Sequence, residues 1–399
     1  MSADIDYDII VVGAGPAGST AGYLLKKSGL NVLVIDKDKF PRKKLCGGMI
    51  TLKTLQLLKT IYGETPSSLR DKKIIDFSTF DYEINYRMSR IVSKKTSESP
   101  YNFVDRTIYD NFLFEKAKEA GVEVIEGEMV KSVDIDNCEV FLSNGDKYKS
   151  KYLVGADGIN SMVRKDFIKK GVINKKKWEN YMATGLEVFV DRNKLDNDIY
   201  HVPIVSFGVI KWGYAWLFPN EDRLVIGLGG LNKENKGNFR NALQDWFSCL
   251  KIDSNAIGKI YGHPIPFGNF QIIPVYKNKV FLLGDAGGFV CPLFGEGLYL
   301  SMKTAEIMTD AINLHDPSKK IFAGKLFIKG LKKEVYPELK AALTLRRLCF
   351  SKFGTAFKYK VTGFLVKLLG EKFIEMMHGE RSYKWLRKKN LNLLQILEE

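Results

Sequence analysis

Three glycines and an acid near the N-terminus have the spacing of a nucleotide-binding turn. Gly13, Gly15 and Gly18 follow the apolar run Ile9 to Val12, and a second apolar run ends on Asp36. In a Gly-x-Gly-x-x-Gly turn the backbone approaches a pyrophosphate at the partial positive end of a helix, and the acid accepts hydrogen bonds from a ribose. The spacing therefore predicts a strand, a helix that begins at about Gly15 and a second strand, which together form a dinucleotide-binding unit.

Two later segments also combine glycines with an acid after an apolar run. They are GADGINSMVR, Gly155 to Arg164, and GDAGGFVCPLFGEG, Gly284 to Gly297. Asp285, at the carboxyl end of a predicted strand, is placed to accept a hydrogen bond from a cofactor hydroxyl, and the glycines around it let a cofactor pass close to the backbone. Asp285 and Gly297 also fit ordinary turn residues.

These three segments, in this order, resemble the FAD-dependent enzymes of the p-hydroxybenzoate hydroxylase fold. The resemblance implies FAD as the cofactor, with Asp157 near the place where flavin and substrate meet, although Asp157 also fits a structural turn acid. It implies a cationic contact to FAD from Arg106, which equally fits a helix-surface arginine. The turn before Gly297 would direct a helix N-terminus at the flavin, where partial positive charge stabilises the reduced anion. The implied cofactor-binding residues are Gly13, Gly15, Ala17, Gly18, Asp36, Cys46, Gly47, Met49, Arg106, Val130, Asp157, Asp285, Gly295, Gly297 and Leu298.

Two further stretches resemble a narrower group, the geranylgeranyl reductase family, which saturates isoprenoid double bonds with reduced FAD. They are PRKKLCGG, which contains Cys46, and YAWLFP followed by GLG, from Tyr214 through Gly229. The resemblance covers most of residues 7 to 310. It implies that Cys46 lies beside the flavin and that the sheet motif, with Tyr214, Trp216 and Phe218, borders the lipid cavity. Met49 departs from the pattern, since family members often keep a glycine there.

Reduction of an isolated alkene needs a hydride on one carbon and a proton on the other, in a dry cavity. The thiol of Cys46 fits the proton donor or a group that tunes the flavin, and it also fits a small buried residue packed under the flavin. Tyr214, Trp216 and Phe218 offer flat apolar walls for a prenyl chain, but their alternation equally suits any sheet core.

Two other functions compete with a prenyl reductase. One is an aromatic-ring monooxygenase of the same fold. The other is a flavin electron carrier to membrane quinones, whose relatives hold a cysteine-ligated iron-sulfur cluster, whereas the five cysteines here are scattered singly. The sequence contains no second dinucleotide fingerprint, so we expect electrons from an external donor such as ferredoxin or NAD(P)H.

The order of predicted strands and helices that position these residues indicates an α/β protein with a discontinuous Rossmann-like FAD-binding domain. With its other regions included, the chain is α+β overall. We assign residues 1–74, 104–165 and 270–315 to that domain, residues 75–103 and 166–269 to an inserted antiparallel-sheet substrate domain, and residues 316–399 to a basic helical C-terminal region. Predicted helices cover Met49 to Tyr62, Asp105 to Ala120 and Glu296 to Ile312, and Val130 to Val154 reads as an antiparallel meander.

Composition limits the remaining possibilities. The 399 residues are 45% hydrophobic and 27% charged, as in ordinary globular proteins. With single cysteines and four separated histidines we expect no metal site, and no nucleic-acid recognition module is present. No signal peptide or long apolar span is visible, so a cytoplasmic, peripherally membrane-associated protein is expected.

The net charge of +15 is concentrated at the C-terminus, where residues 311–399 hold 19 Lys and Arg against 8 Asp and Glu. Leu343 to Leu369 interleaves apolar and basic residues, which fits a helix on an anionic membrane surface. The same pattern fits a basic face on a packed helical cap, or docking of an acidic electron donor.

Overall fold

A parallel sheet carries the predicted nucleotide-binding turn at its edge. The computed structural model describes residues 5–96, 99–195, 200–271, 274–350 and 367–385. The strands in this part of the chain are β1 Tyr7–Val12, β2 Val32–Asp36, β3 Met49–Ile50, β4 Phe77–Thr79, β5 Asp81–Tyr86, β6 Ser89–Lys95, β7 Tyr101–Phe103, β8 Glu123–Glu126, β9 Val130–Asp134, β10 Glu139–Leu142, β11 Lys147–Gly155, β12 Met182–Asp191, β13 Ile204–Phe207, β14 Gly213–Pro219, β15 Arg223–Leu231, β16 Tyr261–Pro266, β17 Tyr276–Lys277 and β18 Val280–Leu282.

Helices connect and cover these strands. In the same described residues they are α1 Pro16–Lys27, α2 Leu52–Tyr62, α3 Pro66–Asp71, α4 Arg106–Glu119, α5 Met162–Lys169, α6 Lys175–Glu179, α7 Asn232–Asn235, α8 Phe239–Cys249, α9 Leu298–Asn313, α10 Ala323–Glu334, α11 Tyr336–Phe350 and α12 Glu371–His378.

The first sheet has the order β17-β18-β11-β1-β2-β8, and β18, β11, β1, β2 and β8 are mutually parallel. Its central strands are buried because β1 and β2 are almost wholly apolar, and α1 packs with α9 against them. The carboxyl ends of parallel strands meet at one edge of a sheet. The turns after β1, β11 and β18 therefore lie together, with Asp36 at the end of β2. The predicted Rossmann-like fold is confirmed.

A second sheet, in the order β16-β12-β15-β14-β13-β5-β6, is built mainly from the inserted strands. Its pairs are antiparallel except β5 and β13, which run parallel from Ile204 opposite Glu83 to Phe207 opposite Tyr86. The inserted sheet is thus antiparallel, as predicted, apart from this one pair. After the β5–β6 hairpin, more than a hundred residues precede β13. A connection of this length allows β13 to return to β5 in the parallel direction.

The predicted helix from Met49 is also corrected. Met49 and Ile50 form β3, which pairs with β7 in a small third sheet with β4. Helix α2 begins only at Leu52, because the hydroxyl of Thr51 accepts a hydrogen bond from the N–H of Thr54 and caps the helix. The domain boundaries drawn from the sequence remain a prediction.

The C-terminal helices pack onto the protein. In α11, Leu343, Leu345 and Cys349 are buried, so the start of the predicted membrane-surface segment lies in a core. Arg346, also buried, donates a hydrogen bond to the carbonyl of Phe267. Residues 351–366 of that segment lie outside the described residues. No helix within the described ranges has both the length and the apolar composition to cross a bilayer.

Candidate functional site

The turn after β1 accepts only glycine at two positions. Gly13 has φ +97°, and a Cβ atom there would lie 2.6 Å from the carbonyl oxygen of Ala156. A Cβ atom on Gly18 would lie 1.7 Å from the carbonyl oxygen of Gly13, so helix and turn are in direct backbone contact. Gly15 is the residue before α1, and Ala17 lies in its first turn. The N-terminus of α1 thus faces the space above the turn, where an anion is stabilised.

Asp36 braces the same turn. Its Oδ2 accepts a hydrogen bond from the N–H of Ala14 at 2.6 Å, and its Oδ1 accepts one from the N–H of Asp38 at 2.9 Å. Burial raises the pKa of Asp36, although both N–H groups favour its ionised form. Val130, predicted near the cofactor, begins β9 two residues after Glu128, whose N–H donates to the carbonyl of Asp36 at 3.3 Å.

Two arginines share one buried carboxylate beside this turn. Arg106 donates from Nε and Nη2 to Asp110 at 2.6 and 2.9 Å, and Arg42 Nη2 lies 3.3 Å from Asp110 Oδ2. Arg106 is 8% exposed, which excludes the helix-surface reading. A Cβ atom on Gly15 would lie 3.3 Å from Arg42 Nη2. The pair of guanidinium groups leaves net positive charge beside the predicted phosphate-binding turn.

The two later glycine segments are joined by Arg164. Its Nη1 donates to the carbonyl of Ala286 at 3.1 Å, and its guanidinium carbon lies 4.1 Å from the ring centre of Trp178. Burial lowers the pKa of Arg164 to about 10, while Asp157 and Asp285 favour its charged form. Arg164 therefore fixes the turn after β18 against the turn after β11.

The acids of these turns face different surroundings. Asp157 Oδ2 accepts a hydrogen bond from the N–H of Met162 at 2.6 Å, whereas its Oδ1 is buried and has no hydrogen-bond partner. Asp285 lies in a short helical turn, Gly284–Gly287, three residues past the end of β18. Burial raises the pKa of Asp285, whereas the nearby positive charges of Lys44, Arg106 and Arg164 act to lower it.

Gly295 and Gly297 shape the approach to α9, whose first residue is Leu298. Gly295 has φ +68°, and a Cβ atom on Gly297 would lie 3.5 Å from Asp285 Oδ1. The hydroxyl of Tyr214, on the second sheet, donates a hydrogen bond to the carbonyl of Phe294. The turn before α9 is thus tied to the predicted substrate sheet.

The Cys46 loop, residues 44–48, lies against the same sheet. A Cβ atom on Gly47 would lie 2.5 Å from Cδ2 of Phe218 and 3.8 Å from Nε1 of Trp216. The N–H of Cys46 donates to Glu187 Oε1 at 3.1 Å, and Cys46 Sγ accepts from the N–H of Gly48 at 3.5 Å. The loop continues into Met49, which pairs with Phe103 in the third sheet.

One face of the second sheet presents aromatic and polar residues to this loop. Tyr214, Trp216 and Phe218 alternate along β14 and so share a face. Gly227 on β15 is paired with Trp216 on β14 and with Glu187 on β12. Residues that pair directly across neighbouring strands lie on the same face of a sheet, so Glu187 shares the face of Trp216. Trp216 and Phe218 are 8% and 9% exposed and pack in an apolar cluster. The Trp216 Nε1–H is buried without a hydrogen-bond partner.

Glycines make room for the Trp216 ring. A Cβ atom on Gly227 would lie 2.4 Å from Cζ2 of Trp216, and one on Gly229 would lie 3.5 Å from its Cζ3. Gly185, on the next strand, would place a Cβ atom 3.8 Å from the far edge of the ring. The GLG segment therefore lets the indole lie flat on the sheet.

Three titratable residues that the sequence analysis did not select lie in or against the Cys46 loop. Burial raises the pKa of Glu187 to about 7, lowers that of Lys44 to about 8 and lowers that of His263 to about 3. Lys44 Nζ lies 2.5 Å from His263 Nε2. Such shifts concentrate at functional sites.

A signal for most of the missed residues is present in the sequence. Glu187 is an acid inside the apolar stretch of β12, and Lys44 and Arg42 belong to the PRKKLCGG motif. Asp110 follows Arg106 by one helical turn. His263 offers no comparable signal, because its role depends on pairing between β12 and β16.

These residues fit FAD. The turn at Gly13 and Gly18 admits no side chain and Arg42 adds positive charge, while Asp157 Oδ1 is a buried acceptor without a partner, free for a hydroxyl of the kind FAD carries. Within the described part of the chain, no group of three or more His, Cys, Asp and Glu side chains is arranged to hold a metal ion.

Known proteins resemble this chain over most of its length. Residues 6–204 match the family model described as FAD binding domain. An uncharacterized protein of Methanosarcina barkeri is 28% identical, over 88% of this chain and 86% of its own. The geranylgeranyl diphosphate reductase of Synechocystis sp. is 29% identical, over 76% of this chain and 74% of its own. The digeranylgeranylglycerophospholipid reductase of Methanocaldococcus jannaschii is 27% identical, over 86% of both chains.

Solved structures show the same fold. A geranylgeranyl bacteriochlorophyll reductase-like protein from Thermoplasma acidophilum superposes with a TM-score of 0.76 at 18% identity, covering 91% of this chain and 96% of that one. A flavin-dependent brominase superposes with a TM-score of 0.69 at 20% identity, covering 94% and 93%. The prediction of FAD as cofactor is confirmed, and the chain is an FAD-dependent oxidoreductase.

Proposed function

We propose that this chain, which is similar to geranylgeranyl reductases among the FAD-dependent oxidoreductases, saturates carbon-carbon double bonds of a geranylgeranyl-type lipid or a prenyl quinone. The two relatives named as reductases support this choice, since one carries geranylgeranyl diphosphate in its name and the other a digeranylgeranyl phospholipid.

One contact carries the proposal. Gly47, next to Cys46, lies directly against Phe218 and near Nε1 of Trp216. The Cys46 loop and the flat apolar wall of Trp216 and Phe218 are thus adjacent, beside the turns that fit FAD. An alkene in a prenyl chain has no polar group to recognise, so a site for it needs an apolar wall and a proton donor at close range.

The chemistry divides between cofactor and protein. Bound FAD, once reduced, supplies the hydride. The thiol of Cys46 gives the proton for the second carbon, which leaves a thiolate, and the nearby charge of Arg106 stabilises it. Tyr214, Trp216 and Phe218 keep water from the reacting carbons and orient the chain. Cys46 as proton donor and these three residues as substrate contacts are parts of the proposal.

The remaining partners follow from the substrate and the cofactor. A prenyl lipid resides in a membrane, so the enzyme would take it up at a membrane surface as a peripheral cytoplasmic protein. The strongly basic C-terminal region is compatible with an anionic surface. Reducing equivalents would come from an external donor, ferredoxin or NAD(P)H.

The test is anaerobic. The purified protein is reduced with dithionite, then mixed with geranylgeranyl diphosphate or a geranylgeranylated glycerol lipid, and flavin absorbance and lipid mass are followed together. Flavin reoxidation accompanied by mass gains in steps of two hydrogens is the expected result. Reoxidation only after oxygen is admitted, with unchanged lipid mass, would reject the proposal for these lipids and favour the aromatic monooxygenase.

A further inference from the structure

Lys44 holds an unusual position two residues before Cys46. Its Nζ lies 2.5 Å from His263 Nε2, and both side chains are half-buried between the Cys46 loop and β16. An ammonium group can only donate, so His263 accepts this hydrogen bond as a neutral imidazole. That assignment agrees with the lowered pKa of His263, which follows from burial and from the nearby charges of Lys44, Arg106 and Arg42.

The surroundings of Lys44 weaken its hold on a proton. Burial is the main cause that lowers its pKa to about 8, and the charges of Arg106 and Arg42 act in the same direction. Asp285 and Cys46 act in the opposite direction by stabilising the ammonium. An amine with a pKa near 8 transfers a proton at neutral pH far more readily than an ordinary lysine.

The pair also reaches towards solvent. His263 pairs with Gly185 on β12, and its neighbour Gly262 is exposed. Cys46 is partly exposed as well, with its N–H bonded to Glu187, its neighbour Gly47 against Phe218 and the charge of Arg106 nearby. Lys44 and Cys46 interact electrostatically in these partly exposed surroundings.

We propose that Lys44 returns a proton to Cys46 after each reduction, with His263 holding its ammonium group in place. This inference rests on the proposed function. In each cycle the S–H bond of Cys46 breaks as a C–H bond forms, and the electron pair for the alkene comes from reduced FAD. An N–H bond of the Lys44 ammonium then breaks as the S–H bond re-forms, and the neutral amine regains a proton from water.

The experiment separates the first reduction from repeated ones. Lys44→Arg keeps the positive charge but holds its proton too tightly to transfer it. Lys44→Met removes both the charge and the proton, and Lys43→Met alters an exposed neighbour as the matched control. For each protein with FAD bound, the lipid-reduction rate is measured in a single turnover and at steady state with excess dithionite, from pH 6 to pH 9.

We expect the ratio of steady-state to single-turnover rate to fall about 100-fold in Lys44→Arg and in Lys44→Met. In the Lys43→Met control and in the wild-type protein this ratio should decline as pH rises through about 8, because the ammonium is lost there. An unchanged ratio in Lys44→Arg, with lipid reduced by the wild-type protein, would overturn this inference alone. Failure of the wild-type protein to reduce lipid would overturn both proposals.

A second readout needs no lipid. The alkylation rate of Cys46 by iodoacetamide at pH 7.5, followed by peptide mass spectrometry, reports the thiolate fraction. Loss of the ammonium in Lys44→Met should slow alkylation roughly 3- to 10-fold, whereas Lys44→Arg and Lys43→Met should alkylate at the wild-type rate. Equal rates in all four proteins would show that Lys44 does not act on the thiol and would reject the inference.

Discussion

The backbone N–H of Cys46 donates a hydrogen bond of 3.1 Å to Oε1 of Glu187, a residue 141 positions later in the chain. This contact fastens the loop that follows the nucleotide-binding unit to strand β12 of the second sheet. The position of the Cys46 thiol is therefore set by a strand of the inserted sheet as well as by its own loop.

Substitution of Glu187 by Gln should change how stability depends on pH. Burial raises the pKa of Glu187 from 4.5 to about 7, so between these values the folded protein binds more protons than the unfolded chain, and stability falls as pH rises. Glu187→Gln keeps the acceptor for Cys46 but does not ionise. We expect its free energy of unfolding to exceed that of the wild-type protein by about 1–3 kcal/mol at pH 8 and by much less near pH 4.5.

Denaturant unfolding of the two FAD-loaded proteins at both pH values measures this difference. A gain that is the same at pH 4.5 and pH 8 would contradict the assigned ionisation of Glu187.

Gly18→Ala should abolish the close contact between α1 and the phosphate-binding turn. The new Cβ atom would lie 1.7 Å from the carbonyl oxygen of Gly13, so the turn must move. We expect FAD affinity to fall at least about 10-fold, measured by titration of the apoprotein. Gly262→Ala is the control, because Gly262 is exposed and the new Cβ atom would lie 3.3 Å from a methyl of Leu186 and 3.9 Å from the carbonyl oxygen of Gly185. Unchanged affinity in Gly18→Ala would argue against this turn as the FAD site.

Gly227→Ala and Gly229→Ala form a matched pair within the GLG segment. At Gly227 the new atom would lie 2.4 Å from the Trp216 ring and 2.4 Å from the carbonyl of Leu186, whereas at Gly229 the nearest atom is 3.5 Å away. Overpacking of this kind costs about 1–3 kcal/mol. We expect a lower unfolding free energy and altered tryptophan fluorescence in Gly227→Ala only. Equal effects in the two variants would mean that the indole does not lie over Gly227.

The sequence predicts the parts of this molecule that local chemistry determines. Gly13 and Gly18 are required by contacts within one turn, and the strands on either side are apolar runs, so the FAD-binding unit can be read directly. Met49 was misread as helical because a two-residue strand exists only through its pairing with Phe103 and Asn102. The parallel pairing of β5 with β13 depends in the same way on partners far apart in the chain.

The candidate site likewise combines residues that local sequence reveals with residues that only distant contacts bring together. Cys46, Arg106 and the Tyr214, Trp216 and Phe218 motif were selected from the sequence, yet Lys44, Glu187 and His263 were not. Glu187 contacts Cys46 across 141 residues and His263 contacts Lys44 across 219. No periodicity or motif encodes a contact at such a separation, and the shifted pKa values that mark these residues arise from burial and neighbouring charges that exist only in the folded protein.

The most direct test of the site is a single anaerobic turnover of reduced Cys46→Ala with a geranylgeranylated lipid, beside Cys249→Ala, which removes an exposed thiol. Both proteins should retain bound FAD. We expect lipid reduction in Cys46→Ala to slow at least about 100-fold, while Cys249→Ala reduces the lipid at the wild-type rate. Reduction by Cys46→Ala at the wild-type rate would contradict the assignment of this thiol as the proton donor.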